Sequence, residues 1–142
     1  MKYIINERQY RLLTEEEQEV LQISSLNVFG GWEALQKFLE KKDNPLYSFE
    51  GYLNLRGTNI ESLGSLTSVG NSLDLRTTNI ESLGNLTSVG GSLNLIGCKK
   101  LTSLGNLTSV GGILDLKRTP ISRKYSRAEI RQMVKVDGDI YL

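Results

Sequence analysis

From residue 46 onward the apolar side chains follow two rhythms that take turns. One piece reads x-L-x-L-x, as in Tyr52-Leu53-Asn54-Leu55-Arg56. Period-two alternation predicts a short strand with its leucines turned inward. The next piece sets Ile60, Leu63, Leu66 and Val69 three residues apart. That spacing suits a tight, turn-rich return with inward corners, and not a long helix. The glycines at 64, 84 and 105, and the Gly-Gly pairs at 90–91 and 111–112, permit bends that a side chain would block.

The two rhythms recur at a fixed period. Residues 51–70, GYLNLRGTNIESLGSLTSVG, and residues 71–90, NSLDLRTTNIESLGNLTSVG, are identical at 15 of 20 aligned positions. A third copy, at 91–111, is one residue longer around 98–101, and a fourth begins at Gly112 and departs after Pro120. A period of this length marks a solenoid. Strands are predicted over 52–56, 72–76, 92–96 and 113–117, and because they repeat in one direction they pair in parallel. The repeat also extends backward: Leu46 aligns with Leu66, and Phe49 with Val69.

The first 45 residues do not repeat. Asn6 is placed to cap a helix over 7–13, and Thr14 with Glu17 forms a capping box for a helix over 15–24, with Val20, Leu21 and Ser24 inward. After Gly30-Gly31, a third helix is predicted over 32–42, with Trp32, Leu35, Phe38 and Leu39 on one face and Asn44-Pro45 ending it. Beyond Pro120, Ser126 caps a predicted helix over 127–134. Val136-Asp-Gly-Asp-Ile-Tyr-Leu142 then matches Val89-Gly-Gly-Ser-Leu-Asn-Leu95 in register, which predicts a fifth strand over 139–142. The expected architecture is an α/β repeat solenoid with one parallel β-sheet. Its parts are a helical N-terminal cap (1–45), the repeat coils (46–116), and a last coil with a helix-plus-strand C-terminal cap (117–142), in one continuous domain. Caps are expected because the end coils of a solenoid would otherwise open their apolar inside to water.

Charge and composition narrow the chemistry. The chain has 142 residues and a net charge of +1, so global charge names no partner. The charge is nonetheless graded along the chain, from −3 over 1–50 (six Lys/Arg, nine Asp/Glu) through zero over 51–116 to +4 over 117–142 (seven against three). Histidine is absent, which removes the commonest general base and metal ligand. The single cysteine, Cys98, has no His to activate it, so it reads as structural. The Gly-Gly pairs recur at the repeat period and are turns, not phosphate loops. Asp74 and Asp115 lack the dense aspartate pattern of calcium-binding rolls. No catalytic residue, metal or cofactor is expected, and the chain is not read as an enzyme. No apolar run reaches signal-peptide or membrane-span length, which points to a cytoplasmic protein.

The segment Leu53-Asn-Leu55-Arg-Gly-Thr58-Asn-Ile60 resembles the conserved half of leucine-rich repeats, and the likeness runs over 46–142. In that family the sixth residue of the segment turns inward to bond the bend; here it is Thr58, Thr78, Cys98 and Thr119. Thr in place of the family's usual Asn and a glycine-rich return imply a flatter sheet. The ends, MKYIINERQYRLL and RKYSRAEIRQMVKVDGDIYL, look like those of small leucine-rich-repeat proteins encoded by tailed bacteriophages and marine bacteria. That resemblance implies a phage or mobile-element protein acting in host cytoplasm.

Repeat proteins commonly bind on their strand face. The outward strand positions form three rows: Tyr52, Ser72, Ser92 and Ile113; Asn54, Asp74, Asn94, Asp115 and Tyr141; Arg56, Arg76, Ile96 and Lys117. The expected partner-binding residues are Tyr52, Asn54, Arg56, Asp74, Arg76, Asn94 and Lys117. The expected partner is a host protein that the chain occludes, for example an antiviral defence nuclease. Read without function, the same rows are a solvated face that keeps the sheet soluble. The alternative is a nucleic-acid-binding accessory protein using Lys117, Arg118, Arg123, Lys124, Arg127 and Arg131, although Glu129, Asp137 and Asp139 dilute that patch. The chain is expected to be a monomer or a weak homo-oligomer.

Overall fold

The structure is a computed structural model that describes residues 2–3 and 20–142. In chain order its elements are β1 (Lys2–Tyr3), β2 (Val20–Ile23), a 3-10 turn (Leu26–Val28), α1 (Trp32–Glu40), β3 (Tyr47–Phe49), β4 (Leu53–Asn54), β5 (Leu66–Val69) and β6 (Leu73–Asp74). They continue as β7 (Ser88–Val89), β8 (Leu93–Asn94), β9 (Ser109–Val110), β10 (Leu114–Asp115), α2 (Pro120–Lys124), α3 (Arg127–Met133), β11 (Lys135–Val136) and β12 (Ile140–Tyr141).

The strands form two parallel sheets, where one was expected. A five-stranded sheet runs β12-β10-β8-β6-β4, and a seven-stranded sheet runs β1-β2-β3-β5-β7-β9-β11. Each repeat contributes one strand to each sheet, giving a repeat-like α/β fold. The five-stranded sheet is built from the alternating leucine segments and keeps strict register: Leu53 pairs with Leu73, Leu73 with Leu93, Leu93 with Leu114, and Leu114 with Ile140. The seven-stranded sheet uses the return segment that the three-residue spacing presents as corners. In β5 both ends, Leu66 and Val69, are buried and the middle pair is half-buried, so no period of two is visible. Backbone bonds from one repeat to the next hold it: Thr87 N donates to Thr67 O at 2.7 Å and Thr108 N to Thr87 O at 2.8 Å.

Between the sheets runs one continuous apolar core. Leu53, Leu55, Leu73, Leu75, Leu93, Leu95, Leu114 and Leu116 from the five-stranded side meet Leu66, Leu86, Val69, Val89 and Val110 from the other side, all buried. Of the four bend positions expected to turn inward, Thr78, Cys98 and Thr119 are buried, whereas Thr58 is exposed. Thr58, Thr78 and Thr119 donate their hydroxyls to the carbonyls of Leu55, Leu75 and Leu116, three residues back. Cys98 is buried, and its Sγ donates to Leu75 O of the preceding repeat.

The N-terminal region departs further from expectation. The helix expected over 7–13 lies outside the described residues, as do residues 15–19 of the helix expected over 15–24. Val20–Ile23 is a strand, not the end of that helix, and Ser24 is exposed. Leu21 and Ile23 alternate into the core, and β2 pairs in parallel with β3 on one side and with β1 on the other. A ladder on both sides outweighs the helical preference signalled by a capping motif, because propensity is a weak prior against tertiary pairing. The helix expected over 32–42 is present as Trp32–Glu40, with Leu35 and Leu39 buried. Asp43 and Asn44, both at positive φ, end it, and Asn44 N donates back to Leu39 O.

One register shift was hidden. Leu46 was expected opposite Leu66, but Tyr47 pairs there; a bulge between Tyr47 and Ser48 restores Phe49 opposite Val69. Leu46 is left exposed and Tyr47 is fully buried. The Tyr47 hydroxyl donates to Leu63 O (2.9 Å) and accepts from Gln36 Nε2 (3.0 Å), which ties α1 to the first repeat. Burial pushes its phenol well above the usual tyrosine range despite the Gln36 bond.

At the other end, Ser126 and Glu129 form the capping box of α3. Thr119 has a second task beyond its bend bond: its Oγ1 accepts from Ser122 N and so caps α2, a short helix starting at Pro120 that the sequence pattern did not suggest. The predicted fifth strand is present as β12, and Lys135–Val136 supplies the matching strand of the other sheet.

Candidate functional site

The three outward rows of the five-stranded sheet stand where their register predicts. Neighbouring strands are about 4.8 Å apart, so each row is a ladder of side chains at repeat spacing. Tyr52 is 53% exposed, Tyr141 39% and Ile113 37%. Asn54, Arg56 and Lys117 are exposed, Asn94 and Arg76 half-buried, and Asp74 buried. The structure therefore brings all seven expected residues onto one face, with Tyr141 beside Asp115 completing the middle row.

The middle row is bound to its own chain. Asn54, Asp74, Asn94 and Asp115 each accept, at Oδ1, the backbone N–H two residues on, at 3.0, 3.1, 3.1 and 3.2 Å. This is the Asx turn, and it ends each strand by satisfying an N–H that the ladder leaves over. It explains why every repeat carries Asn or Asp there, the two types whose short side chain reaches that N–H.

What remains for a partner depends on whether the residue is Asn or Asp. Arg76 clamps the Asp74 carboxylate with two nitrogens, Nε to Oδ1 at 3.0 Å and Nη2 to Oδ2 at 2.6 Å. The Tyr52 hydroxyl donates to Asp74 Oδ2 at 3.5 Å. Burial alone would raise the Asp74 carboxyl; the Arg76 hydrogen bonds and the charges of Arg76 and Arg56 outweigh it and hold it below the usual range. Lys117 sits 3.5 Å from Asp115 Oδ2, with its ammonium 5.3 Å from the centre of the Tyr141 ring. Arg56 follows Asn54, which offers no carboxylate, so it has no counterpart of the Asp74–Arg76 ion pair. Asp-x-Arg and Asp-x-Lys in a strand put both residues on one face, so the signal for these i, i+2 ion pairs lies across the rows and not along any one of them.

The basic C-terminal group is partly structural. Arg127 Nε donates to Ile140 O at 2.8 Å, and Arg131 donates to the carbonyls of Val136 and Gly138 at 2.9 and 3.0 Å. Lys124 lies over the Tyr125 ring at 5.3 Å. Among the described residues no group of His, Cys, Asp and Glu is placed to hold a metal ion, and no described helix is long and apolar enough to cross a membrane. No family model, no curated protein and no solved structure matches this chain.

Proposed function

We propose that the chain is a short leucine-rich-repeat solenoid that binds a protein on the open face of its five-stranded sheet. On this reading it is a phage or mobile-element protein acting in host cytoplasm by occluding a host protein, of which a defence nuclease is an example. The observation that carries the binding reading is the juxtaposition of Tyr52, Arg56, Ile113, Lys117 and Tyr141 as solvent-reaching side chains on one regular face. Aromatic residues and Arg are the types enriched at interface hot spots. Arg56, without a carboxylate beside it in its own repeat, is the best-placed cation for an acidic partner group. Asp74 and the Asx oxygens act beneath it, holding the face in shape.

The test is affinity capture from host lysate with wild type and with Arg56→Glu/Arg76→Glu. One protein captured by wild type and lost in the double variant is the expected result. A partner retained by the double variant moves the site to the caps, and no specific partner at micromolar bait refutes the reading. The nucleic-acid alternative predicts capture that falls steeply with salt and depends on Arg123, Lys124 and Arg127. The engagement of Arg127 and Arg131 with backbone carbonyls favours the protein-binding reading over it.

A further inference from the structure

The two sheets end unequally at the N-terminal side. Beyond β3 the seven-stranded sheet continues through β2 and β1, whereas beyond β4 no described strand continues the five-stranded sheet. At the opposite edge of that sheet Arg127 Nε donates to the outward carbonyl of Ile140 in β12.

The direction of the backbone bonds shows what the β4 edge offers. The N–H groups of Leu53, Leu55 and Gly57 donate to Ser72, Asp74 and Arg76 of the next repeat at 3.0, 2.9 and 2.8 Å. In a parallel ladder the alternate residues face the other way, so the Asn54 N–H and the carbonyls of Tyr52 and Asn54 point outward from the sheet edge. The Arg56 N–H is already taken by Asn54 Oδ1. A groove of about 290 Å³ runs along this edge, lined by Gly51, Tyr52 and Asn54 on one side and by Ser25, Leu26 and Asn27 on the other. By the register of β2 with β3, the 3-10 turn Leu26–Val28 follows β2 as β4 follows β3, so the groove lies between β4 and that turn. Arg56, the outward cation with no carboxylate two residues before it, stands at the same edge.

We infer that the β4 edge takes an extended, acidic peptide segment of the partner as an added parallel strand, with a carboxylate of that segment on Arg56. Backbone pairing supplies the affinity, and the Arg56 charge sets register and selectivity. This deepens the protein-binding reading and rests on it. Pairing also resolves the general hazard of an open strand edge, which otherwise templates unwanted association.

The probe is the synthetic peptide GSLNLEGT, capped at both ends. It copies residues 91–98 with Glu replacing Ile96, the residue in the Arg56 row, and Thr replacing Cys98. Amide hydrogen exchange on the full chain is the readout. In the free protein the Asn54 amide should exchange at least about a hundredfold faster than the Leu55 amide, and saturating peptide should slow it. Binding should fall about tenfold when the peptide carries Lys instead of Glu, and Arg56→Glu should reverse that preference. Methylating the two leucine nitrogens of the peptide, which would donate to Tyr52 and Asn54 carbonyls, should abolish binding. Asn54→Pro should do the same, since it removes the outward N–H and none of the three N–H groups that hold β4 to β6; if it does not fold, the methylated peptide decides. An Asn54 amide already protected in the free protein overturns the inference, because the chain then covers its own edge. Protection that grows with protein concentration overturns it in favour of a second copy. Equal binding of the methylated peptide, or no binding at millimolar peptide, also overturns it. A captured host protein that is lost on Lys117→Glu but not displaced by the peptide sinks the edge and keeps the face. Peptide binding with no captured protein does the reverse.

Discussion

The two sheets are made by the same repeats, yet the repeats agree with one another on one side and disagree on the other. On the seven-stranded side, Thr67, Thr87 and Thr108 are one residue type, as are Ser68, Ser88 and Ser109, and Gly70, Gly90 and Gly111. On the five-stranded side the outer rows read Tyr, Ser, Ser, Ile and Arg, Arg, Ile, Lys. The difference is steric. A Cβ on Gly70 would collide with the Glu50 carbonyl, on Gly90 with the Gly70 carbonyl, and on Gly111 with the Gly90 carbonyl. The three threonines are held by a second constraint, each donating its hydroxyl to a carbonyl of the preceding repeat at 2.9–3.1 Å. On the five-stranded side the fold demands the inward leucines, the bend bonds and the Asx turn, and in the first row Ser72 and Ser92 accept at Oγ the backbone N–H of Ser92 and Ile113 of the next repeat, both at 3.0 Å. The third row is the one in which Arg, Ile and Lys interchange among the repeats, on the outward side of the sheet.

Breaking the constrained side should have the largest effect. Gly90→Ala puts a methyl against backbone that cannot swing away, as a flexible side chain would. We expect a loss of about 3 kcal/mol, the upper end for overpacking, read from urea unfolding monitored by the Trp32 fluorescence. A change below 1 kcal/mol would mean that the stacked repeats separate easily, and the steric account of their sameness would fail.

The bend that follows each five-stranded segment offers a gain of stability. Gly57 and Gly97 take positive φ there (70° and 74°), and Thr77 and Arg118 occupy the equivalent place at 57° and 61°. A β-branched residue in the left-handed region is strained. Thr77→Gly, which restores the residue found in two sister repeats, should stabilise the chain by about 1 kcal/mol, with the larger unfolded-state entropy of glycine limiting the gain. The same unfolding experiment checks it, and a loss would show that the Thr77 hydroxyl bond to Arg76 O outweighs the strain.

The third row should tolerate what the constrained side does not. Ile96→Arg copies the first two repeats into the third and should change stability by no more than about 0.5 kcal/mol, while adding a cation to the face for capture experiments. A large loss would show that Ile96 is packed rather than presented.

The same contrast explains which parts were legible beforehand. Alternation with inward leucines is a two-residue signal carried by four copies, so the five-stranded sheet, its register and its three rows could be read directly. The return strands could not, because Leu66–Val69 buries both its ends and shows no period of two. Their strand character lies in backbone bonds between repeats, which no side-chain pattern reports. Val20–Ile23 failed for a related reason: Thr14 and Glu17 describe a local helix start, whereas the strand is decided by β3, more than 20 residues away. Tyr47 was missed because a single bulge moves the core position by one residue. At the candidate site, positions were legible, and Asp-x-Arg carried a signal for the Asp74–Arg76 pair. That Asn54 and Asp74 both bond the backbone two residues on depends on side-chain reach and not on spacing.

The smallest expected effect isolates the Asp74–Arg76 pair. Asp74→Asn turns the middle row of the second repeat into that of the first, keeping the Oδ1 that accepts Arg76 N–H and removing the carboxylate that Arg76 clamps. Because the folded-state carboxyl lies below its ordinary value, the charged form stabilises the fold at pH above the unfolded carboxylate range, and that contribution disappears as pH falls through the lowered folded value. The wild type should therefore be slightly more stable than Asp74→Asn at pH 7. The gap should narrow as the pH drops below about 4 and should also shrink with added salt, since Arg76 is partly exposed. Paired unfolding curves across that range read it directly. A gap that does not change with pH would mean the bidentate clamp contributes nothing beyond the Asx turn. Arg56 and Arg76 would then be equivalent as free cations, and the preference for Arg56 as the anchor would rest on its position at the β4 edge alone.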